Sequence, residues 1–308
     1  MKKDFLAIAD YSPEELLKLI NLAISLKKEY FASGNPPLLH AKVLAMLFSK
    51  PSLRTRISFD MAMRQLGGDA LFISPEEIGL GTRESIADVA RVLSGYVSAI
   101  MARVFKHEHV IELAKWSDIP VINGLSDYNH PCQAMADILT IYEHFGQFKG
   151  LKVTFIGDGN NVATSLIHIC SKLGLDFTIA SPKGYDLSPV VIASAQEFAR
   201  NSGSKFAFLK DPIAAAKNAD IIYTDTWTSM GQETESKKRE FIFLPYQVNS
   251  ELLSHAKSTA IVMHCLPAHR GQEITDDVAD GSQSVIFKQA HNRLHAQKAI
   301  LVYLLEED

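Results

Sequence analysis

The sequence predicts an α/β protein of two doubly wound parallel-sheet domains with an active-site cleft between them. Short apolar runs rich in Val, Ile and Phe alternate with longer amphipathic segments along the chain. Continuous apolar strands separated by helices are typical of parallel sheets that are covered on both faces. The length of 308 residues also suits two domains, because one domain typically has about 150 residues. In such folds, ligands bind beyond the carboxyl ends of the strands, often in the crevice between domains.

Ten apolar runs are candidate strands, and their spacing suggests where the domains divide. They cover residues 43–48, 70–74, 99–104 and 121–123, followed by 152–156, 176–180, 207–209, 220–224, 261–264 and 284–287. A polar, glycine-containing stretch at 142–150 precedes the strand "LKVTFIG". We therefore expect residues 1–147 to form the first domain and 148–289 the second. A long helical pattern over about 290–308 is expected to pack back on the first domain.

Composition and charge exclude several classes of protein. The net charge is −4 without any block of like charge, so no nucleic-acid-binding surface is expected. The N-terminus "MKKDFLAIADYS" lacks the apolar core of a signal peptide, and no run approaches the roughly 18 apolar residues of a membrane helix. Cys132, Cys170 and Cys265 are scattered and lack CxxC spacing, which predicts reduced thiols in a cytoplasmic protein.

The stretch "SKPSLRTRISF" follows the first strand and concentrates positive charge and hydroxyl groups. Apolar residues at i, i+3, i+4 and i+7 predict a helix from Ser52 or Leu53 to residue 66, with Ser52 as its N-cap. The N–H groups of this helix start, the hydroxyls of Ser52 and Thr55 and the Arg54 guanidinium are suited to bind a phosphate. Arg56 lies about 200° from Arg54 around the helix and is expected to be structural. A capped helix with solvated arginines is the alternative.

The stretch "YNHPCQAMAD" follows the fourth strand. Pro131 suits the first turn of a helix, which makes His130 the boundary residue and places Gln133 in the first turn. Both side chains can face the same site, His130 as a donor to a polarised carbonyl oxygen and Gln133 as the partner of an amide. Arg103 ends the preceding strand and adds a cation at the same sheet edge. The alternative is a structural histidine.

The stretch "IGDGNNVATS" matches a dinucleotide-binding fingerprint only in part. Val162 occupies the position of the third glycine, and the next strand ends in Ser181 rather than in the carboxylate that would hold a ribose. We therefore do not expect NAD. The Asn160–Asn161 pair instead offers amide donors at a helix start, which suit a carboxylate.

The stretch "IIYTDTWTSMGQE" places a carboxylate after a buried strand. Asp225 can anchor a substrate ammonium, and Ser229 and Met230 lie in the loop beyond it. An aspartate that caps a turn is the alternative.

The stretch "IVMHCLPAHRG" brings Cys265 and Leu266 to the end of another strand, where the thiol and backbone carbonyls become accessible. His264, Cys265 and His269 could suggest zinc, but their spacing matches no usual ligand set. The sequence therefore predicts neither a metal nor another cofactor.

Taken together, these motifs resemble the aspartate/ornithine carbamoyltransferase family, and most closely its ornithine-using members. The resemblance covers nearly the whole chain in order: "SLRTR", "HPCQ", "GDGNN", "DTWTSMG", "HCLPAHRG" and "NRLHAQKA". It implies two doubly wound domains, the first binding carbamoyl phosphate and the second the amino acid, assembled as a homotrimer or a multiple of trimers.

The resemblance also implies roles for individual residues. Carbamoyl phosphate would contact Ser52, Leu53, Arg54, Thr55, Arg103, His130, Gln133, Cys265, Leu266 and Arg293. Ornithine would contact Asn161, Asp225, Ser229, Met230, Cys265 and Leu266. The catalytic residues would be Arg54, Arg103, His130 and Cys265.

Two positions depart from the family pattern. Leu53 stands where the family usually has Thr, which removes a hydroxyl but leaves the backbone N–H. Gly79, in the loop "EEIGLGTRES", stands where several members carry a Gln that reaches a neighbouring subunit's site. Arg83 is the candidate substitute for that contact.

The implied reaction transfers the carbamoyl group of carbamoyl phosphate to the δ-amine of L-ornithine, giving L-citrulline and phosphate in arginine metabolism. The expected partners are these two small molecules, with no nucleic acid and no membrane. One alternative is a carbamoyltransferase for another amine, such as putrescine or an acylated ornithine; aspartate is not expected, since "HCLPAH" lacks the basic residues that a second carboxylate would require. An alternative of another class is a non-catalytic, anion-binding regulatory subunit.

Overall fold

The computed structural model describes residues 2–228 and 233–306. The chain divides into two compact units, a first unit of Met1–Leu139 with His291–Asp308 and a second unit of Thr140–Ala290. Each unit contains helices and one parallel β-sheet, which confirms the predicted fold class. Across the described residues, no helix combines the length and apolarity that crossing a bilayer requires.

The sheet of the first unit has four parallel strands in the order β2-β1-β3-β4. Its strands are β1 (Val43–Phe48), β2 (Asp69–Ile73), β3 (Ala99–Arg103) and β4 (Val121–Leu125). Its helices are α1 (Pro13–Ser33), α2 (Leu53–Gln65), α3 (Pro75–Ile78), α4 (Ile86–Ser94), α5 (His107–Trp116) and the start of α6 (Pro131–Phe145).

The sheet of the second unit has five parallel strands in the order β7-β6-β5-β8-β9. These are β5 (Lys152–Ile156), β6 (Asp176–Ala180), β7 (Phe206–Leu209), β8 (Ile221–Thr224) and β9 (Ile261–His264). Its helices are α7 (Asn161–Leu173), α8 (Pro189–Ser202), α9 (Pro212–Ala216), α10 (Ser236–Phe243), α11 (Ser250–Ser254) and α12 (Asp276–Ala279). The last helix, α13 (Ile286–Leu305), belongs to the first unit from His291 onward. Short 3₁₀ helices cover Ile8–Asp10, Glu233–Glu235 and Leu244–Tyr246.

Burial along the strands follows their position in each sheet. The inner strands β1, β3, β5, β6 and β8 are buried almost throughout, whereas the edge strands β2 and β7 are partly exposed. The other two edges pair with additional chain: the Phe5 N–H donates to Val121, and the Val285 N–H donates to Val262. Covering an edge in this way prevents pairing with another molecule.

One predicted strand, at residues 284–287, is wrong, while the other nine are confirmed within two residues of their predicted ends. Ser284 forms an isolated bridge with Val262, and α13 then begins at Ile286. The apolar run "SVIF" fits a short strand and the start of a buried helix equally well, because periodicity alone does not separate the two.

The strand order places the polar motifs at the carboxyl-terminal ends of the strands in each sheet. In the first unit, the motifs with Ser52, Arg103 and His130 follow the carboxyl ends of β1, β3 and β4, which are neighbours in the sheet. In the second unit, the motifs with Asn160 and Asp225 follow β5 and β8, and Cys265 follows β9. Because the carboxyl ends of parallel strands all lie at the same end of a sheet, the polar residues of each unit lie together at that end.

The conformation of the loop between β5 and α7 requires glycine at position 159, because no side chain fits there. The Gly159 N–H donates to the Tyr185 carbonyl at 2.8 Å, and a Cβ atom on Gly159 would lie 2.4 Å from the backbone nitrogen of Leu187. We expect Gly159→Ala to lower the free energy of unfolding by about 2 kcal/mol or more, since backbone must move to relieve the overlap. Urea and thermal unfolding measure this change.

A second glycine supplies the matched control. A Cβ atom on Gly95 would meet its nearest neighbour, the Val92 carbonyl oxygen, at 3.6 Å, and Gly95 has an ordinary helical φ of −86°. Gly95→Ala is therefore expected to leave stability unchanged or to raise it slightly. Equal unfolding midpoints for the two variants would contradict the close approach at Gly159.

Candidate active site

The N-terminus of α2 forms as the sequence predicts. Ser52 is the N-cap, and its Oγ accepts a hydrogen bond from the Thr55 N–H at 3.3 Å. Leu53 begins the helix with an exposed side chain, and Arg54 follows it half-buried. Leu53 therefore offers its backbone N–H to a ligand at this helix start while its side chain faces outward.

Two buried arginines of the first unit converge on the Thr55 hydroxyl. Thr55 Oγ1 accepts a hydrogen bond from Arg293 Nη2 at 3.3 Å. It also accepts one from Arg103 Nη1 at 3.5 Å, which is the upper limit of hydrogen-bonding distance. Arg293 Nη1 also donates to Gln133 Oε1 at 2.8 Å, and Gln133 Nε2 donates to Asp137 at 2.8 Å. These bonds fix two guanidinium groups beside the start of α2.

His130 is buried next to this arginine pair. Burial lowers its pKa well below the usual 6.5, and the positive charges of Arg293, Arg103, Lys50 and Arg54, in that order, lower it further. The imidazole is therefore neutral at pH 7 and can donate one N–H. The sequence analysis had not assigned a role to Lys50, although it lies directly before the phosphate-binding motif; its side chain is buried.

Arg56 has the structural role that its helical position predicts. Its guanidinium carbon lies 4.0 Å from the centre of the Phe72 ring on β2, a typical cation–π contact.

The loop with Gly79 and Arg83 is held by its own backbone. Gly79 ends α3 in a left-handed conformation with φ of +48°, and its carbonyl accepts from the N–H groups of Thr82 and Arg83, both at 2.8 Å. Arg83 Nη1 donates to the Glu77 carbonyl at 3.1 Å. In the first unit, this arginine therefore stabilises the turn.

Asp225 is the centre of the polar cluster in the second unit. Its Oδ1 accepts from the Cys265 thiol and from the Thr226 N–H, both at 2.8 Å, and its Oδ2 accepts from Asn160 Nδ2 at 2.7 Å. The carboxylate is 7% exposed. Asn161, the neighbour of Asn160, is the first residue of α7 and is half-buried.

The bend after Cys265 is held by a buried histidine. The Leu266 N–H donates to His264 Nδ1 at 2.8 Å, so that nitrogen carries no proton and the other one does. His264 Nε2–H then donates to Glu273 Oε1 at 3.0 Å. Leu266 has a φ of +58° and precedes a cis peptide bond to Pro267. The sequence analysis missed Glu273, which no spacing rule connects to His264.

A buried arginine links the two loops that flank this cluster. Arg239 Nη1 donates to Asp158 Oδ2 at 2.7 Å and to the Trp227 carbonyl at 2.9 Å. Asp158 lies two residues before Asn160, and Trp227 lies two residues after Asp225. Desolvation raises the pKa of Asp158, while the hydrogen bond and the charge of Arg239 oppose that shift.

Asp225, His264 and Cys265 have ligand atoms within 4.8 Å of one another, which raises the question of a metal. In this arrangement both ring nitrogens of His264 are engaged, one as acceptor and one as donor, and the Cys265 thiol donates to Asp225. A metal would have to replace these bonds, because coordination needs a free nitrogen lone pair and a thiolate. The donor set fits a hydrogen-bonded cluster better than a metal site.

The predicted site residues thus form one group in each unit. Ser52, Thr55, Arg103, Gln133 and Arg293 are joined by hydrogen bonds in the first unit, with Arg54 and His130 beside them. Asp225 and Cys265 are bonded directly in the second unit, and Leu266 follows them. Ser229 and Met230 lie outside the described residues.

Comparisons with known proteins agree with this arrangement. Residues 3–143 match the carbamoyl-P binding domain of aspartate/ornithine carbamoyltransferase, and residues 149–304 match its Asp/Orn binding domain. The chain is 53% identical to an ornithine carbamoyltransferase of Pyrococcus abyssi, over 98% of this chain and 96% of that protein. It is 52% identical to an anabolic ornithine carbamoyltransferase of Pyrococcus furiosus, over 98% of this chain and 96% of that protein.

A solved structure leads to the same family. The ornithine carbamoyltransferase structure from Pyrococcus furiosus matches with a TM-score of 0.96 and 52% identity, covering 99% of this chain and 97% of that one. Both family models and these relatives together span almost every residue from 3 to 304. The chain therefore belongs to the aspartate/ornithine carbamoyltransferase family.

Proposed function

We propose that this protein transfers the carbamoyl group of carbamoyl phosphate to the δ-amine of L-ornithine, giving L-citrulline and phosphate in arginine biosynthesis. In this proposal the first unit binds carbamoyl phosphate and the second binds ornithine. The observation that carries it is the gathering of Arg54, Arg103, Arg293 and Lys50 around a neutral His130. Cations of this kind at a helix N-terminus are suited to bind the phosphate group of an acyl phosphate, which must leave in this reaction.

The first-unit residues account for activation of the carbonyl group. The amine forms a C–N bond to the carbamoyl carbon, and the C–O bond to phosphate breaks with its electron pair staying on the phosphate. The proton that the amine loses passes to an oxygen of the departing phosphate. The arginines and the Ser52–Thr55 helix start stabilise that charge, with no need for a metal. His130, as a neutral donor, stabilises the carbonyl oxygen as it becomes negative, a task in which one donor typically contributes about 3 kcal/mol.

The second-unit residues account for recognition of the amine. Free ornithine carries a δ-ammonium that resembles lysine, with a pKa of ~10.4, so its neutral form costs about 4.6 kcal/mol at pH 7. We assign Asp225 and Asn161, together with Ser229 and Met230, to the α-amino-acid end of ornithine. Cys265 and Leu266 are then adjacent to the δ-amine. This set favours ornithine over putrescine, which has no carboxylate.

We further propose a homotrimer in the cytoplasm. An exposed apolar stripe supports the assembly: Leu53, Ile57 and Met61 on α2 are 74%, 49% and 38% exposed, and Leu71 on β2 is 52% exposed. Contiguous exposed apolar side chains of this kind commonly mark a protein interface. Cys132, Cys170 and Cys265, all within the described residues, form no disulfide, which agrees with a reducing compartment.

The direct test of the reaction is a colorimetric citrulline assay with carbamoyl phosphate and a series of amines. We expect product from L-ornithine and little or none from the other three amines: N-acetylornithine lacks the free α-ammonium that Asp225 would bind, putrescine lacks the α-carboxylate, and aspartate lacks a δ-amine. A preference for putrescine or N-acetylornithine would support the alternative substrate. Failure of folded protein to carbamoylate any amine would instead indicate a regulatory subunit.

Substitution of two arginines on α2 tests whether activity depends on Arg54 in particular or only on the positive charge of this helix. We expect Arg54→Ala to lower kcat/KM by about 10² to 10³, because the negative charge that develops on the phosphate loses the Arg54 guanidinium as a hydrogen-bond donor. Arg64 is the control: its side chain is 54% exposed and pairs with Asp60 on the surface, so Arg64→Ala should leave kinetics unchanged. Circular dichroism confirms that both variants fold, and equal kinetics would remove Arg54 from the site.

The protonation of His130 gives a pH-dependent test. Its lowered pKa means that the imidazole stays neutral between pH 8 and pH 6, so an NMR titration should show no protonation of its ring in that interval. Comparison with His130→Asn assigns the signal. The unfolded chain protonates this histidine below about pH 6.5, so its contribution to stability is present above that pH and is lost as the pH falls. A titration midpoint near 6.5 would contradict the buried, cation-surrounded position.

A further inference from the structure

The carboxylate of Asp225 is held from both neighbouring strands of its sheet. Asp225 follows β8, which lies between β5 and β9. Cys265, which follows β9, donates to Oδ1, and Asn160, which follows β5, donates to Oδ2. The orientation of the carboxylate therefore depends on side chains from two other loops.

The oxygen and the nitrogen of the Asn160 side-chain amide make hydrogen bonds to different parts of the second unit. Its Oδ1 accepts from the N–H groups of Val162 at 3.0 Å and Ala163 at 3.1 Å, which caps α7. Its Nδ2 donates to Asp225 at 2.7 Å. The amide orientation is determined by this network, because only the oxygen can accept from two backbone N–H groups.

We propose that Asn160 is a positioning residue for amino-acid binding, which acts by orienting and stabilising the Asp225 carboxylate. This inference rests on the proposed function, in which Asp225 binds the α-ammonium of ornithine. The motif indicated both Asn160 and Asn161 as amide donors and the family resemblance implied Asn161, whereas the hydrogen bond to the carboxylate comes from Asn160.

The chemistry of the amide explains why asparagine suits this position. Capping alone would be performed equally well by Ser or Asp, which are comparable N-cap residues, but neither combines the acceptor with an N–H donor that reaches Asp225. A lysine or arginine would donate to Asp225 but would also neutralise it. A neutral amide stabilises the carboxylate through a charge-assisted hydrogen bond. Because the amide carries no charge, the negative charge of Asp225 stays available to the substrate ammonium.

Two substitutions separate positioning from capping. Asn160→Ser keeps an acceptor for the cap but ends short of Asp225, and Asn160→Asp keeps both the cap and the side-chain length but faces Asp225 with a second negative charge. We expect KM for ornithine to rise about 10-fold in Asn160→Ser, the loss of one charged hydrogen bond, and further in Asn160→Asp. KM for carbamoyl phosphate and the unfolding midpoint of Asn160→Ser should stay close to those of the unsubstituted protein.

Ser188 provides the matched control for capping. Its hydroxyl caps α8 in the same unit by accepting from the Val191 N–H at 3.3 Å. Ser188→Ala should lower the unfolding midpoint while KM for ornithine stays unchanged. If Asn160→Ser and Ser188→Ala behave alike, Asn160 is only a cap and the inference is overturned; if Asn160→Ser is too unstable to assay, Asn160→Asp gives the same comparison.

A double-mutant cycle distinguishes failure of this inference from failure of the proposed function. In an Asp225→Asn background, Asn160→Ser should cause little further change in KM, because the carboxylate it positions is gone. A large KM effect of Asp225→Asn without an effect of Asn160→Ser would overturn the positioning role alone. An unchanged KM in Asp225→Asn would instead remove Asp225 from the proposed ornithine site.

Discussion

The site of the first unit depends on how positive charge is concentrated around His130. Burial is the largest cause of the lowered pKa of this imidazole, and the charges of Arg293, Arg103, Lys50 and Arg54 lower it further. Such a cluster requires extensive hydrogen bonding, because buried charges are costly unless they are compensated. A phosphate group adds the negative charge that this region attracts. The positive charges that add to the effect of burial on His130 are the same charges that would attract the phosphate in the proposed reaction.

Much of the fold and part of the site could be predicted from the sequence because they depend on residues close together in the chain. The continuous apolar run of β1 identifies a strand that is buried in the interior of a sheet. Ser52 and Pro131 mark the starts of α2 and α6 through their own backbone preferences. Since parallel strands end on one side of a sheet, these local features also indicated which motifs would be neighbours.

The partners within each cluster could not be predicted, because they join residues that are distant in sequence. Thr55 and Arg293 are separated by 238 positions, and Asn160 and Asp225 by 65. Which of them meet is determined by the strand order and by the path of each loop. The error at residues 284–287 has a different cause: four apolar residues carry no information that separates a strand from a helix start.

The left-handed turn at Gly79 restricts how its loop can evolve. A Cβ atom at position 79 would lie 2.7 Å from the Cβ of Arg83, too close for two carbon atoms in normal contact, and the positive φ adds strain for any residue with a side chain. A residue with a side chain therefore cannot replace Gly79 unless the backbone of this turn moves. Every residue except glycine has a Cβ atom, so the geometry of the turn, and not the identity of Arg83, excludes a side chain at position 79.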